Sequence, residues 1–133
     1  MLDESLKFSE NQAITATTVS ENVLDLGVGR EVAFGDPIPL LAMVKEDFNN
    51  LTSLKVAVET DSTDEFNSPV ELASSTVLLA NLKRGKMIPI SFMPAGNKGF
   101  VRLKYTVNGT APTTGKVSAY LTDAVTQSYH NKG

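Results

Sequence analysis

The chain has 133 residues, of which 41% are apolar and 20% charged, with no cysteine and one histidine. A chain this long buries about two-thirds of its surface as one domain without metal or disulfide support, and the missing cysteines remove disulfides, thiolate zinc sites and thiol nucleophiles. The formal net charge of −3 conceals a split: residues 1–36 and 37–78 each carry seven acids and two bases, whereas residues 79–133 carry one acid, Asp123, and eight bases.

In chain order, residues 1–8 form a short N-terminal arm whose apolar Leu6 and Phe8 have two readings: anchors for a partner, or the start of the first core strand. Residues 13–19 and 23–26 are strand candidates. Gly27-Val28-Gly29-Arg30 holds a GxG with no third glycine and no helix after it, so it reads as a turn rather than a dinucleotide loop. Residues 38–44 are another strand candidate, and 45–51 is the one plausible helical turn. Residues 54–58 alternate cleanly, with Leu54, Val56 and Val58 on one face and Lys55, Ala57 and Glu59 on the other. The acids Asp61, Asp64 and Glu65 could offer oxygens to calcium, but the segment lacks the glycine and distal glutamate of a calcium loop and reads as a solvated turn.

Strand candidates continue at 70–72 and 76–79. Lys83-Arg84-Gly85-Lys86 is a compact basic cluster that Lys98, Arg102 and Lys104 could extend. Phe100 aside, no outward row of aromatics accompanies it to stack bases, so the expectation is a protein-facing or solvated loop and no nucleic-acid partner. Pro89 removes a ladder donor from 87–92 and demotes it to an edge strand or bulge. Residues 101–107 place Val101, Leu103, Tyr105 and Val107 inward, with Arg102, Lys104 and Thr106 outward. Asn108-Gly109 supplies a turn signal, the stretch 108–116 is an exposed loop, and 117–121 alternates Val117, Ala119 and Leu121 against Ser118, Tyr120 and Thr122.

Short strands separated by turns, with no long helical period, read as a single-domain, all-β sandwich or barrel. The longest apolar runs, such as 40–44, fall far short of the ~20 residues that cross a bilayer, so no membrane partner is expected, and Met1–Ser5 lacks the features of a secretory signal. His130 stands alone near a chain end, which excludes a multi-histidine metal site and disfavours a Ser–His–Asp relay. The expectation is a protein with no cofactor, no metal and no enzymatic activity. The charge split is explained either by acidic and basic strands pairing within the fold or by a charged partner.

The order and spacing of several segments carry a resemblance. Leu6-Lys7-Phe8-Ser9-Glu10-Asn11-Gln12 leads to Asn22-Val23-Leu24-Asp25-Leu26-Gly27. Leu54-Lys55-Val56-Ala57-Val58-Glu59-Thr60-Asp61 leads to Phe66-Asn67-Ser68-Pro69-Val70. Phe100-Val101-Arg102-Leu103-Lys104-Tyr105 leads to Gly115-Lys116-Val117-Ser118-Ala119-Tyr120-Leu121. Across residues 6–125 this pattern resembles the small capsid cement (decoration) proteins of tailed bacteriophages, with the tail 126–133 beyond the match. The resemblance implies a jelly-roll-like antiparallel β-sandwich made in the host bacterial cytoplasm and carried on the outer surface of the virion head. It implies the major capsid protein as partner, and copies grouped at symmetry axes, as a homodimer first and a trimer second. The contact candidates are Leu6, Phe8, Lys83, Arg84 and Lys86. A phage-associated carbohydrate-binding sandwich is the alternative, although Tyr105, Tyr120 and Tyr129 are too dispersed for a sugar platform; a carboxylate-pair hydrolase is a third class.

The facing assignment has a direct consequence. Leu103→Asp buries an unpaired charge and abolishes soluble expression, whereas Lys104→Asp on the opposite face leaves the far-ultraviolet circular dichroism spectrum strand-dominated. Equal damage from both would reverse the assignment.

Overall fold

Alternation of apolar and polar residues sets the architecture, because a strand presents successive side chains to opposite faces. The computed structural model describes residues 7–25, 40–90 and 98–121. Eight strands lie in them: β1 (Lys7–Ala13), β2 (Thr18–Val19), β3 (Leu24–Asp25), β4 (Leu40–Glu46), β5 (Leu51–Asp61), β6 (Val70–Leu78), β7 (Phe100–Gly109) and β8 (Lys116–Leu121). One antiparallel sheet has the order β1-β8-β4; the second has the order β2-β7-β5-β6, with β3 also paired to β7.

The two sheets face each other as a sandwich whose core takes Leu54, Val56 and Val58 from β5, Val101, Leu103 and Tyr105 from β7, and Val117, Ala119 and Leu121 from β8. The first strand pairs with the last, β2 and β3 pair with the penultimate strand, and β5 forms a hairpin with β6. A bridge between Met43 and Met87 gives β4 its outer neighbour. This nested winding, a long hairpin folded back on itself, is that of a jelly roll.

Several expectations change in the structure. The stretch 45–51 makes no helical turn, since β4 runs on to Glu46 and β5 begins at Leu51. Between them Asn50 takes the left-handed φ of 71°, the Phe48 amide donates to Leu82 O at 3.0 Å and Thr114 Oγ1 donates to Asp47 O at 2.9 Å, so neighbours take up the groups a helix would use. The run 13–19 is broken because the chain crosses between sheets there: Ala13 pairs with β8 and Thr18 with β7. Residues 70–72 and 76–78 join into one strand, β6, whose middle faces inward with small Ala73 and Ser75 opposite Val58 and Val56, while Leu79 begins a 3-10 turn. Of 87–92, the described part to Ile90 keeps one bridge and the bond from Ile88 N to Ala42 O at 2.8 Å, in line with the missing donor of Pro89. Asn108 and Gly109, which signal a turn in the sequence, instead extend β7 opposite Ser53 and Leu51 across a register shift; Gly109 has φ +95°, and a Cβ there would lie 2.6 Å from Thr52 Oγ1. At Gly115 a Cβ would run into the Phe48 ring.

Phe8 is fully buried in β1, which corrects the reading of it as an exposed anchor. Its strand pairs with β8 from Lys7 onward, so burial of the aromatic ring outweighs mobility at the chain end. Leu6 and the rest of the expected arm, residues 1–5, lie outside the described residues, as do 27–30, 91–97 and 122–133.

A polar contact fastens the two sheets together. Tyr105, buried on β7, has its hydroxyl 2.8 Å from Ser9 Oγ on β1. Ser9 gives its own proton to Gln12 Oε1 at 2.6 Å, so Tyr105 is the donor. Gln12 Nε2 then donates to Val19 O at 2.9 Å, carrying the chain of bonds on to β2. Burial raises the Tyr105 pKa above that of an ordinary phenol, so the neutral hydroxyl is favoured in the fold.

Tyr105→Phe leaves Ser9 without a donor and costs about 1–2 kcal/mol, visible as a lower Tm. Because the folded pKa is raised, the stability linked to this group is complete below the unfolded pKa of about 10 and is lost as pH rises beyond it. The gap between wild type and variant therefore narrows in alkaline unfolding experiments. A gap that stays constant to high pH would place the hydroxyl outside the linkage.

Candidate interaction surface

Three surfaces outside the core carry groups able to meet a partner: the loop after β5, the outward face of the β7-side sheet, and the turn containing the basic cluster. In the first, Asp61 closes its own loop. Its Oδ1 accepts the Ser62 amide at 2.6 Å and its Oδ2 accepts the Ser68 amide at 2.9 Å, so both oxygens are spent on backbone. The Ser68 amide, more than any other contact, holds the Asp61 carboxyl below its usual pKa, against the opposing effect of burial. Among the described residues no cluster of three acidic or histidine side chains is arranged to hold a metal.

On the outer face of the second sheet, acid and base pair between neighbouring strands. Arg102 Nε lies 2.9 Å from Glu59 Oε1, and Lys55 Nζ lies 3.1 Å from Glu71 Oε1. Arg102 also stacks 4.2 Å from the centroid of Phe66, which is buried and holds a left-handed φ of 51°. A bulky residue in that region stores strain on the order of 1–3 kcal/mol, and the stack under a paired guanidinium offsets it. Part of the charge split is thus neutralised inside the fold.

The basic cluster behaves differently. Lys83, Arg84 and Lys86 are all exposed on a turn closed by the bond from Lys86 N to Lys83 O at 2.9 Å. Gly85 at its tip takes φ +92° and has open space around it. The turn is pinned to β4 by bonds from Gly85 N to Val44 O at 2.8 Å and from Val44 N to Lys86 O at 2.9 Å. Asp47 Oδ1 adds a third tie by accepting the Arg84 amide at 2.7 Å.

The structure brings to this turn two lysines that the sequence reading left out, Lys45 and Lys116. Together with Asn11, Glu46, Asp47 and Arg84 they line an open groove of about 520 Å³. The alternation of Leu40, Ala42 and Val44 gave no signal for this, because a register shift between Val44 and Glu46 sets Glu46, rather than Lys45, opposite Lys116. Lys98, Arg102 and Lys104 do not extend the cluster: Arg102 is paired, Lys104 sits opposite Ala57 in the middle of the second sheet, and Lys98 donates its amide to Thr60 Oγ1 near the other end of β5.

A model of the Bbp16 family matches residues 8–121, the span from Phe8 in β1 to the last residue of β8. The chain belongs to the Bbp16 family, a phage-related protein family. No curated protein matches the chain.

Asp61→Asn removes one carboxylate oxygen from the loop and lowers Tm at neutral pH. Since the folded pKa is depressed, the contribution is present above the unfolded value of about 3.9 and is lost as pH falls through the lower folded value. The difference in Tm between variant and wild type should close on acidification, and a difference unchanged down to strongly acidic pH would contradict the assigned role.

Proposed function

We propose that this member of the Bbp16 family is a capsid cement protein, which binds the outer surface of a tailed-phage head and stabilises the lattice of major capsid protein. The observation that carries the reading is the family match itself: it spans the whole described sandwich, so the phage-related property belongs to the domain and not to an appended segment. The order of segments from residue 6 to residue 125, which resembles that of cement proteins, supports the same role.

The physics of the domain suits that work. A packed sandwich tied by Tyr105 and by the long β5–β7 pairing is a stiff body, and a stiff body seated across a seam resists separation of the two subunits it touches. A protein that binds the assembled lattice better than free subunits stabilises the lattice by mass action. Repetition by symmetry lets modest contacts add up, and grouping as a homodimer, with a trimer as second choice, would place copies on symmetry axes of the shell.

The purified chain should co-sediment with undecorated, expanded heads, saturate at a fixed ratio to the capsid subunit, and raise the temperature at which the heads release DNA. Binding no better than that of an unrelated acidic domain of equal size would end the proposal.

A further inference from the structure

We propose that the end of the sandwich formed by Lys45, Lys83, Arg84, Lys86 and Lys116 is a docking surface for a carboxylate-rich protein segment. All five cations are exposed, and they come from three parts of the chain: the end of β4, the 83–86 turn and the start of β8. Among the described residues the ion pairs are Lys7–Glu10, Lys55–Glu71 and Arg102–Glu59, and none involves these five.

Two carboxylates lie among them, and each has an oxygen turned to a backbone amide. Glu46 Oε1 accepts the Gly115 N–H at 3.0 Å, and Asp47 Oδ1 accepts the Arg84 N–H at 2.7 Å. The acids therefore build the surface, while among the described residues the cations have no ion-pair partner. Gathering like charges destabilises a fold through mutual repulsion, and the framework holds them there with backbone bonds: Gly85 N to Val44 O, Val44 N to Lys86 O, and the register pair Glu46–Lys116. A surface ordered in advance loses little freedom on binding.

The chemistry of the patch selects the partner. Lysine and arginine meet carboxylates with charge-assisted bonds, and the groove beside them carries Asn11 as a further hydrogen-bonding group. Among the described residues no aromatic side chain lines that groove, so bases would find no stacking platform. An acidic protein segment fits where a nucleic acid does not. This goes beyond the head-binding role, because it names the chemistry of a partner whatever assembly supplies it.

The test uses the full chain and a labelled oligoglutamate peptide, followed by fluorescence anisotropy at low ionic strength, with a short DNA duplex as the comparison. Wild type should bind the peptide saturably and release it as salt rises. The pair Lys45→Gln and Lys116→Gln together should weaken binding roughly five- to thirtyfold, the effect of losing two exposed charge contacts, while leaving Tm unchanged or raising it at low salt. The control pair Lys98→Gln and Lys104→Gln removes the same charge elsewhere and should leave affinity within about twofold, since charges beyond a Debye length are largely screened. No binding by wild type, equal loss in both pairs, or tighter binding of the duplex through the same lysines would each overturn the proposal. A chain that binds the peptide but not phage heads keeps this surface and loses the cement role; the reverse result does the opposite.

Discussion

The structure depends on the pairing of β5 with β7. The two strands run antiparallel from Leu51 opposite Gly109 to Asp61 opposite Phe100, and every other element of their sheet hangs from one of them. β6 completes the sheet along β5, while β2 and β3 lie in succession along the far edge of β7. Their inward residues include the largest fully buried side chain, Tyr105, and the Tyr105 hydroxyl reaches across to Ser9 on the opposite sheet. Because this pairing joins segments far apart in sequence, loop closure must precede its reward.

Period-two alternation made much of this framework legible. Leu54, Val56 and Val58, then Val101, Leu103 and Tyr105, then Val117, Ala119 and Leu121 all face the core as the pattern requires. Where the pattern breaks, legibility was lost for identifiable reasons. β1 carries irregularities in its register on both sides of Ser9, and Phe8 and Ser9 are buried in succession, so no alternation marks it as a strand. β6 faces the core with Ala73 and Ser75, too small and polar to signal burial, and appeared as two pieces. The stretch 45–51 looked helical because the tie between Asn49 and the loop before β8 has no sequence signature: the Asn49 side chain bonds Thr113 at 2.8 Å through both its oxygen and its nitrogen.

The candidate surface was legible only in part. Lys83, Arg84 and Lys86 stand together in sequence, but Lys45 and Lys116 join them through register and through the bonds that pin the turn to β4. The charge split has two fates in the fold. Across the sheet built on β5 and β7, acids and bases on adjacent strands meet, as in Arg102–Glu59 and Lys55–Glu71. At the end holding the 83–86 turn, the carboxylates have oxygens engaged with amides and the cations stay exposed. Such polarity suits the proposed docking surface, since charge complementarity governs encounter and register more than raw affinity.

A density map of phage heads reconstituted with the purified chain tests the proposed role most directly. The account predicts additional density on the outer surface, one sandwich-shaped body per site, touching at least two capsid subunits and repeated with the symmetry of the lattice. Density confined to a single subunit, to the head interior or to the tail would contradict it.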